Sequence, residues 1–250
     1  MKLEFCKLSA GYGATMVLSD VTFAAEGGIT VLLGRNGAGK STLLKCLAGQ
    51  TAYAGEILLD GRQTGQLSHG ERARLMASLP QELPAPRVTV EELVGFGRAP
   101  WLPFSGKLSP ADAEAVKTAL KAVGLENCGE QLVDTLSGGQ RKKAFLAMVL
   151  AQETPLVVLD EPTAHLDAAS RFELLGLLKQ LHRDTGKTFL VVMHELPEAL
   201  LLADRIAVLA EGTVAFYGTP EQCLQERIGE TYFDIRITGS RETGYGVLPK

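Results

Sequence analysis

Gly34-Arg35-Asn36-Gly37-Ala38-Gly39-Lys40-Ser41 sets glycines, a lysine and a hydroxyl at the spacing G-x-x-x-x-G-K-[ST], a phosphate-binding P-loop. Glycine lets consecutive backbone N–H groups turn inward as an anion nest. Lys40 can reach β- and γ-phosphates, and the Ser41 hydroxyl can ligand Mg²⁺. A second pair of chemically capable residues is Asp160-Glu161, two adjacent carboxylates. Alone they read as an acidic turn. Beside a P-loop, Asp160 is expected to hold Mg²⁺ through its shell, and Glu161 to polarise an attacking water as general base. His194 is a third candidate, although a lone histidine is more often structural.

The flanking residues are those such chemistry needs. Ile29-Thr30-Val31-Leu32-Leu33 is a short apolar run, and Thr42-Leu43-Leu44-Lys45-Cys46-Leu47-Ala48 has helical character. Together they give the strand–loop–helix context of a P-loop, with the helix N-terminus adding partial positive charge. Leu156-Val157-Val158-Leu159 is an apolar strand that delivers Asp160-Glu161-Pro162 at its end. Thr188-Phe189-Leu190-Val191-Val192-Met193 is another, with His194 at its carboxyl end, where ligands bind in open α/β sheets. Leu136-Ser137-Gly138-Gly139-Gln140 opens a helix expected to run to about Gln152, with Ser137 as N-cap. Arg141-Lys142-Lys143 then places cations in what reads as the first turn, the wrong sign for the macrodipole. They are either a solvated basic turn or a helix end prepared to receive an anion. Thr163 to Asp167 lead into an amphipathic helix from about 168 to 183.

Residues 2–9 and 15–25 alternate polar and apolar around Gly11-Tyr12-Gly13 and read as an antiparallel pair. Residues 55–61 add a strand ending in an Asp-Gly turn, so 2–61 is expected to carry an antiparallel β-layer. Tyr12, at the turn, is either a half-buried packing residue or an aromatic face for a nucleobase. Residues 70–76 read as a short helix and 77–81 as an extended exit. Glu82-Leu83-Pro84-Ala85-Pro86 is a break. Thr89-Val90-Glu91-Glu92 and Ser109-Pro110-Ala111-Asp112 are capping boxes, the second with proline at the first helical position. Between them, residues 95–104 carry Phe96, Arg98, Trp101 and Phe104 in an irregular stretch. It is either a loop folded onto its own helices or a partner-docking surface, since aromatics and Arg are enriched at interfaces. Residues 206–212 and 213–218 read as a closing hairpin, and Thr219-Pro220-Glu221-Gln222 caps a last helix. The domain expectation is a core of 1–87 and 136–225, a helical sub-domain over 88–135, and a tail over 226–250.

The chain has 250 residues and a formal net charge of −4, so it offers no basic footprint for nucleic acid. Cys6, Cys46, Cys128 and Cys223 are far apart and form no metal or redox spacing, which fits a reducing, cytosolic setting. No apolar run reaches transmembrane length, and Met1-Lys2-Leu3-Glu4 opens no signal-peptide h-region.

These motifs, taken together, resemble those of ATP-binding cassette (ABC) proteins, the nucleotide-binding subunits of transporters, over about residues 3–220. The resemblance implies an α/β fold with a P-loop NTPase (RecA-like) core, an N-terminal antiparallel β-layer and an inserted helical sub-domain. Tyr12 matches the adenine-stacking aromatic. Gly34, Arg35, Asn36, Gly37, Ala38, Gly39, Lys40 and Ser41 match Walker A, with Thr42 adjoining it. Gln81 matches the glutamine that senses the γ-phosphate and Mg²⁺ and links to the membrane partner. Leu136, Ser137, Gly138, Gly139 and Gln140 match the hallmark sequence. Asp160 and Glu161 match Walker B and its catalytic glutamate, Asp167 the D-loop aspartate, and His194 the switch histidine. The implied metal ligands are Ser41, Gln81 and Asp160. Lys142-Lys143 stand where a second glutamine is commoner, and Glu195-Leu196-Pro197 follows His194; neither removes a functional group.

The resemblance implies ATP and Mg²⁺, a head-to-tail homodimer holding two ATP molecules, integral membrane permease subunits and, indirectly, a substrate-binding protein. It places the chain peripherally on the cytoplasmic face of the cell membrane. Gly97-Arg98-x-Pro100 and residues 162–167 are similar to importers for iron-siderophores, haem and cobalamin. Other readings are an iron–sulfur assembly type scaffold, the ATPase subunit of a different ABC transporter, and a P-loop kinase, which predicts no hallmark loop. The stretch 82–104 is expected to dock on the membrane partner, because it follows Gln81 directly.

Overall fold

Alternation along residues 2–26 builds the first layer of the computed structural model, which describes residues 1–103 and 106–250. In β1 (Lys2–Tyr12), Leu3, Phe5, Leu8 and Ala10 are buried. They face the buried set of its antiparallel partner β2 (Thr15–Glu26), with Phe5 opposite Phe23 and ring centroids 4.8 Å apart. β3 (Ile29–Leu33) is buried at every position, the pattern of a strand covered on both faces. It runs into the P-loop and then α1 (Lys40–Leu47). β4 (Ala54–Leu59) pairs antiparallel with β1 and turns back through Asp60 and Gly61, at φ 46° and 76°, into β5 (Arg62–Gln63). Two successive positive φ values are what a two-residue hairpin turn of the primed type requires. The sheet order is β2-β1-β4-β5.

The chain divides into two compact units, residues 1–67 with 188–250, and residues 68–187. In the second, Ser68 caps α2 (His69–Leu75), and β6 (Met76–Leu79) pairs parallel with β7 (Leu156–Asp160). Thr89 caps α3 (Val90–Gly95), Ser109 caps α4 (Pro110–Ala122) and Ser137 caps α5 (Gly138–Ala151), all three as reciprocal capping boxes. These helices pack together through Val90, Leu93, Val94, Val116, Ala119, Leu120 and Phe145. Asp167 caps α6 (Ala168–Thr185), which ends on Gly186 at φ 63°.

The stretch after α3 differs from the irregular one expected. Phe96–Trp101 is a 3₁₀ helix, and Gly97 lies so close to α5 that an added Cβ would meet the Met148 carbonyl oxygen. Gly97→Ala is therefore expected to destabilise by about 1–3 kcal/mol, read as a lower urea midpoint at unchanged slope. Arg98 turns inward and is 7 % exposed. Its guanidinium donates to Asp112 at 2.8 Å, and to Glu153 and the Ala151 carbonyl at 2.6 Å. The aromatic side chains of Phe96 and Trp101 are exposed; the Trp101 indole N–H donates to the Gln152 carbonyl at 2.8 Å. Phe104 lies outside the described residues.

Residues 188–250 return to the first unit. β8 (Thr188–Val192) lies parallel to β3 on one side; α7 (Leu196–Leu202) leads to β9 (Arg205–Ala210), parallel to β3 on the other. β10 (Thr213–Gly218) pairs antiparallel with β9, giving the order β10-β9-β3-β8. Thr219 caps α8 (Pro220–Gln225). That helix is not the last: α9 (Ile228–Tyr232) follows, then a hairpin of β11 (Ile235–Ser240) and β12 (Gly244–Pro249). Among the described residues no helix is long and apolar enough to cross a membrane.

Candidate functional site

The P-loop leaves β3 and enters α1 through residues only glycine suits. Gly37 and Gly39 sit at φ 82° and 105°, and a Cβ at Gly34 would lie 2.6 Å from the Leu209 carbonyl oxygen. Positive φ at alternate positions turns the intervening N–H groups the same way, the geometry of an anion nest. Lys40 is 7 % exposed. Its ammonium donates to the carbonyls of Gly34 at 2.6 Å and Arg35 at 3.3 Å, and lies 3.5 Å from His194 Nδ1. A buried ammonium held by carbonyls of the nest's own rim suits a loop that receives a polyanion. Ser41 is exposed at the helix start and Thr42 is buried. His194 stands two residues after β8, at the strand's carboxyl end.

Tyr12 ends β1 and is 49 % exposed. The hydroxyls of Thr42 and Thr51, with the Lys45 ammonium 5.8 Å from the ring centroid, pull its phenol below the usual range. The ring thus has a cation as neighbour while the residue stays accessible.

The unit of residues 68–187 carries the other candidate side chains. The Gln81 amide donates to Glu161 Oε2 at 2.8 Å, joining the second residue after β6 to the residue after β7. Glu161 has φ 48°, unusual for a side chain of its kind. Its carbonyl accepts from the Ala164 N–H at 3.1 Å and the Lys142 ammonium at 3.3 Å. Asp160 closes β7 and is half-buried. Among the described residues there is no cluster of three metal-ligating carboxylate, histidine or cysteine side chains. Mg²⁺ in nucleotide enzymes takes one or two carboxylates and completes its shell with phosphates and water, so a single carboxylate such as Asp160 has the chemistry that such a site needs. The Asp167 carboxylate accepts from the Ser170 N–H at 2.9 Å and its hydroxyl at 3.0 Å, which holds its pKa below the usual range.

Ser137 Oγ accepts from the Gln140 N–H at 3.2 Å, and the Gln140 side chain returns an acceptor to the Ser137 N–H at 3.1 Å. Gly138 and Gly139 form the first turn with Gln140 and Arg141. Lys142 and Lys143 fall one turn further in than the sequence suggested, which reduces the dipole conflict. Both are also engaged: Lys143 pairs with Glu173 at 2.6 Å, and Lys142 is 9 % exposed, its ammonium at Glu161. Burial pushes the Lys142 pKa down, and the Glu161 and Asp160 carboxylates push it back up. Sequence reasoning missed Lys142; the signal was a lysine inside an otherwise apolar helical face.

Lys40→Ala removes the charge nearest the nest. ATP affinity is expected to fall about 10–100-fold, the equivalent of ~1.5–3 kcal/mol for a charged hydrogen bond, measured by calorimetric titration.

The family model described as ABC transporter matches residues 18–164. The chain is 39% identical over 233 residues to the ferric enterobactin transport ATP-binding protein FepC of Escherichia coli (strain K12), covering 92% of this chain and 86% of that one. It is 38% identical to the iron(3+)-hydroxamate import ATP-binding protein FhuC of Bacillus subtilis (strain 168), with the same coverage. Among solved structures, cbiO1 from Clostridium perfringens, part of the ABC transporter complex cbiONQ, superposes with a TM-score of 0.81 at 29% identity. That match covers 90% of this chain and 91% of that one. A glycine-built nest, a carboxylate hydrogen-bonded to a glutamine amide and these relatives converge: the chain belongs to the ABC transporter family, as an ATP-binding subunit that hydrolyses ATP.

Proposed function

We propose that this ATPase powers an ABC importer for iron-siderophores, or for the chemically related haem and cobalamin cargoes. The carrying observation is its 36–39% identity, over most of its length, to ATP-binding proteins named for siderophore and ferric-ion uptake. Two copies bind head to tail around two ATP molecules. Each nucleotide is held by the P-loop of one copy, with Tyr12 on the base, and by the helix end at Ser137, Gly138, Gly139 and Gln140 of the other. Asp167 lies beside that contact. The dimer works on integral permease subunits at the cytoplasmic face of the membrane, and these receive cargo from a substrate-binding protein.

Glu161 takes a proton from water as the water oxygen bonds to the γ-phosphorus and the bridging oxygen departs with the ADP. Gln81 aims the carboxylate through its 2.8 Å hydrogen bond. Lys40 exchanges its carbonyl partners for phosphate oxygens, and His194 donates to the γ-phosphate. Ser41, Gln81 and Asp160 would hold Mg²⁺, which when bound would supply charge neutralisation on the phosphates. Closure depends on nucleotide because the γ-phosphate is the ligand both copies share.

The deciding experiment is purification from detergent-solubilised membranes and identification of the bound permease. Recovery with permeases whose cells take up ferric siderophores supports the proposal. Recovery in soluble assemblies without a permease overturns it. Replacing Trp101 and Phe104 with Ala is expected to reduce membrane recruitment while ATP binding stays intact; loss of ATP binding instead removes 82–104 as the docking stretch.

A further inference from the structure

We propose that Lys142 is a positioning residue for hydrolysis: from within α5 it holds the Glu161 main chain in the conformation that aims the general base. The inference rests on the general-base reading of Glu161. Three observations carry it. First, Glu161 stands at φ 48°, a left-handed conformation that β-carbon sterics disfavour and that survives only where its surroundings enforce it. Second, the enforcement is visible. The Glu161 carbonyl accepts from the Ala164 N–H at 3.1 Å, which closes the turn, and from the Lys142 ammonium at 3.3 Å, which ties the turn to α5. The carboxylate is held separately by Gln81 at 2.8 Å. Third, Lys142 is 9 % exposed. A lysine with no role at its charged end places that end in water; this one has given up hydration to stand at a carbonyl, next to the Asp160 and Glu161 charges.

The helix that carries Lys142 begins at Ser137 and its capping box. Five residues of one rigid helix therefore separate the helix end from the hold on the base. In a head-to-tail dimer, Ser137 meets the nucleotide of the opposite copy while Glu161 acts on its own. Lys142 then links the two nucleotides mechanically: occupation of one site sets α5, and α5 sets the base of the other.

The test is steady-state ATP hydrolysis by the full chain. Lys142→Met keeps the stem and removes the donor. It is expected to lower kcat about 10-fold with KM for ATP within about two-fold, because misplacement of a catalytic group slows chemistry without weakening binding. Lys142→Gln, whose amide can still donate to a carbonyl, is expected to recover most of the rate. In a Glu161→Gln background, Lys142→Met is expected to add no further loss. A kcat unchanged by Lys142→Met, or an equal fall in the Glu161→Gln background, overturns the inference. Should the methionine variant fail to fold, Lys142→Ala carries the same comparison. If Glu161→Gln itself leaves turnover intact, the general-base reading fails and this inference falls with it; if only Lys142→Met is silent, that reading stands.

Discussion

Glu161→Gln is expected to reduce ATP turnover by about 10²-fold or more while leaving ATP binding in place. The amide cannot take a proton, yet it keeps the shape of the carboxyl group. Its oxygen can still accept from the Gln81 amide that now bonds Glu161 Oε2 at 2.8 Å. The substitution therefore removes the base and spares the geometry. ATP that binds but is not cleaved leaves the shared γ-phosphate in place, so nucleotide-dependent dimers accumulate. Two readouts check this: phosphate release under saturating ATP, and sedimentation with and without ATP. Unchanged turnover would rule out the role of Glu161. Normal turnover by protomers that never dimerise would rule out the head-to-tail arrangement.

Arg98→Met is the substitution expected to destabilise most. It removes one partner from an ion pair in which both side chains are 8 % exposed. The Asp112 carboxylate is then left without its guanidinium, and the Ala151 carbonyl without a donor. Breaking a buried pair from one side is far worse than replacing both members, so the thermal midpoint is expected to fall by about 10 °C. The double variant Arg98→Met, Asp112→Asn is expected to recover part of that. Asp112 also makes the acid limb of stability predictable. The hydroxyl and N–H of Ser109, and then the Arg98 guanidinium, hold its pKa from 3.8 down to about 2. A lowered carboxyl pKa stabilises the fold above the unfolded value and loses that contribution as pH falls from about 4 towards 2. Ser109 is the larger cause, so Ser109→Ala is expected to flatten this limb more than Arg98→Met does, measured by urea midpoints across that range.

Local signals were readable in the sequence, and signals from remote partners were not. The P-loop, its strand and its helix follow from adjacent residues. So do the capping boxes at Thr89, Ser109, Ser137 and Thr219, because each is closed within three residues. The direction of Arg98 was illegible. Its partners lie 14, 53 and 55 residues away, and only they turn a residue suited to an interface into a buried tie. The engagement of Lys142 was hidden for the same reason: Glu161 stands 19 residues on. The hairpin of β11 and β12 was hidden by its glycines, which dilute the alternation of a strand. Gly244, at φ 83°, follows the turn directly, and Gly239, at φ 93°, lies within β11 opposite Tyr245, where an added Cβ would meet the Gly244 carbonyl oxygen. Tyr12, left between packing and base stacking, gained a cation neighbour and an accessible face.

The discontinuity of the first unit sets a schedule for synthesis on the ribosome. β3 emerges early, yet both its parallel neighbours, β8 and β9, are encoded after residue 187. At ~5–20 residues per second the strand waits on the order of 10–30 s before either neighbour exists. During that time an apolar, fully pairable segment is available to other nascent chains. The stretch 68–187, a compact unit of its own, is fully synthesised before β8 exists, so the P-loop strand gains its parallel neighbours among the last features of the molecule.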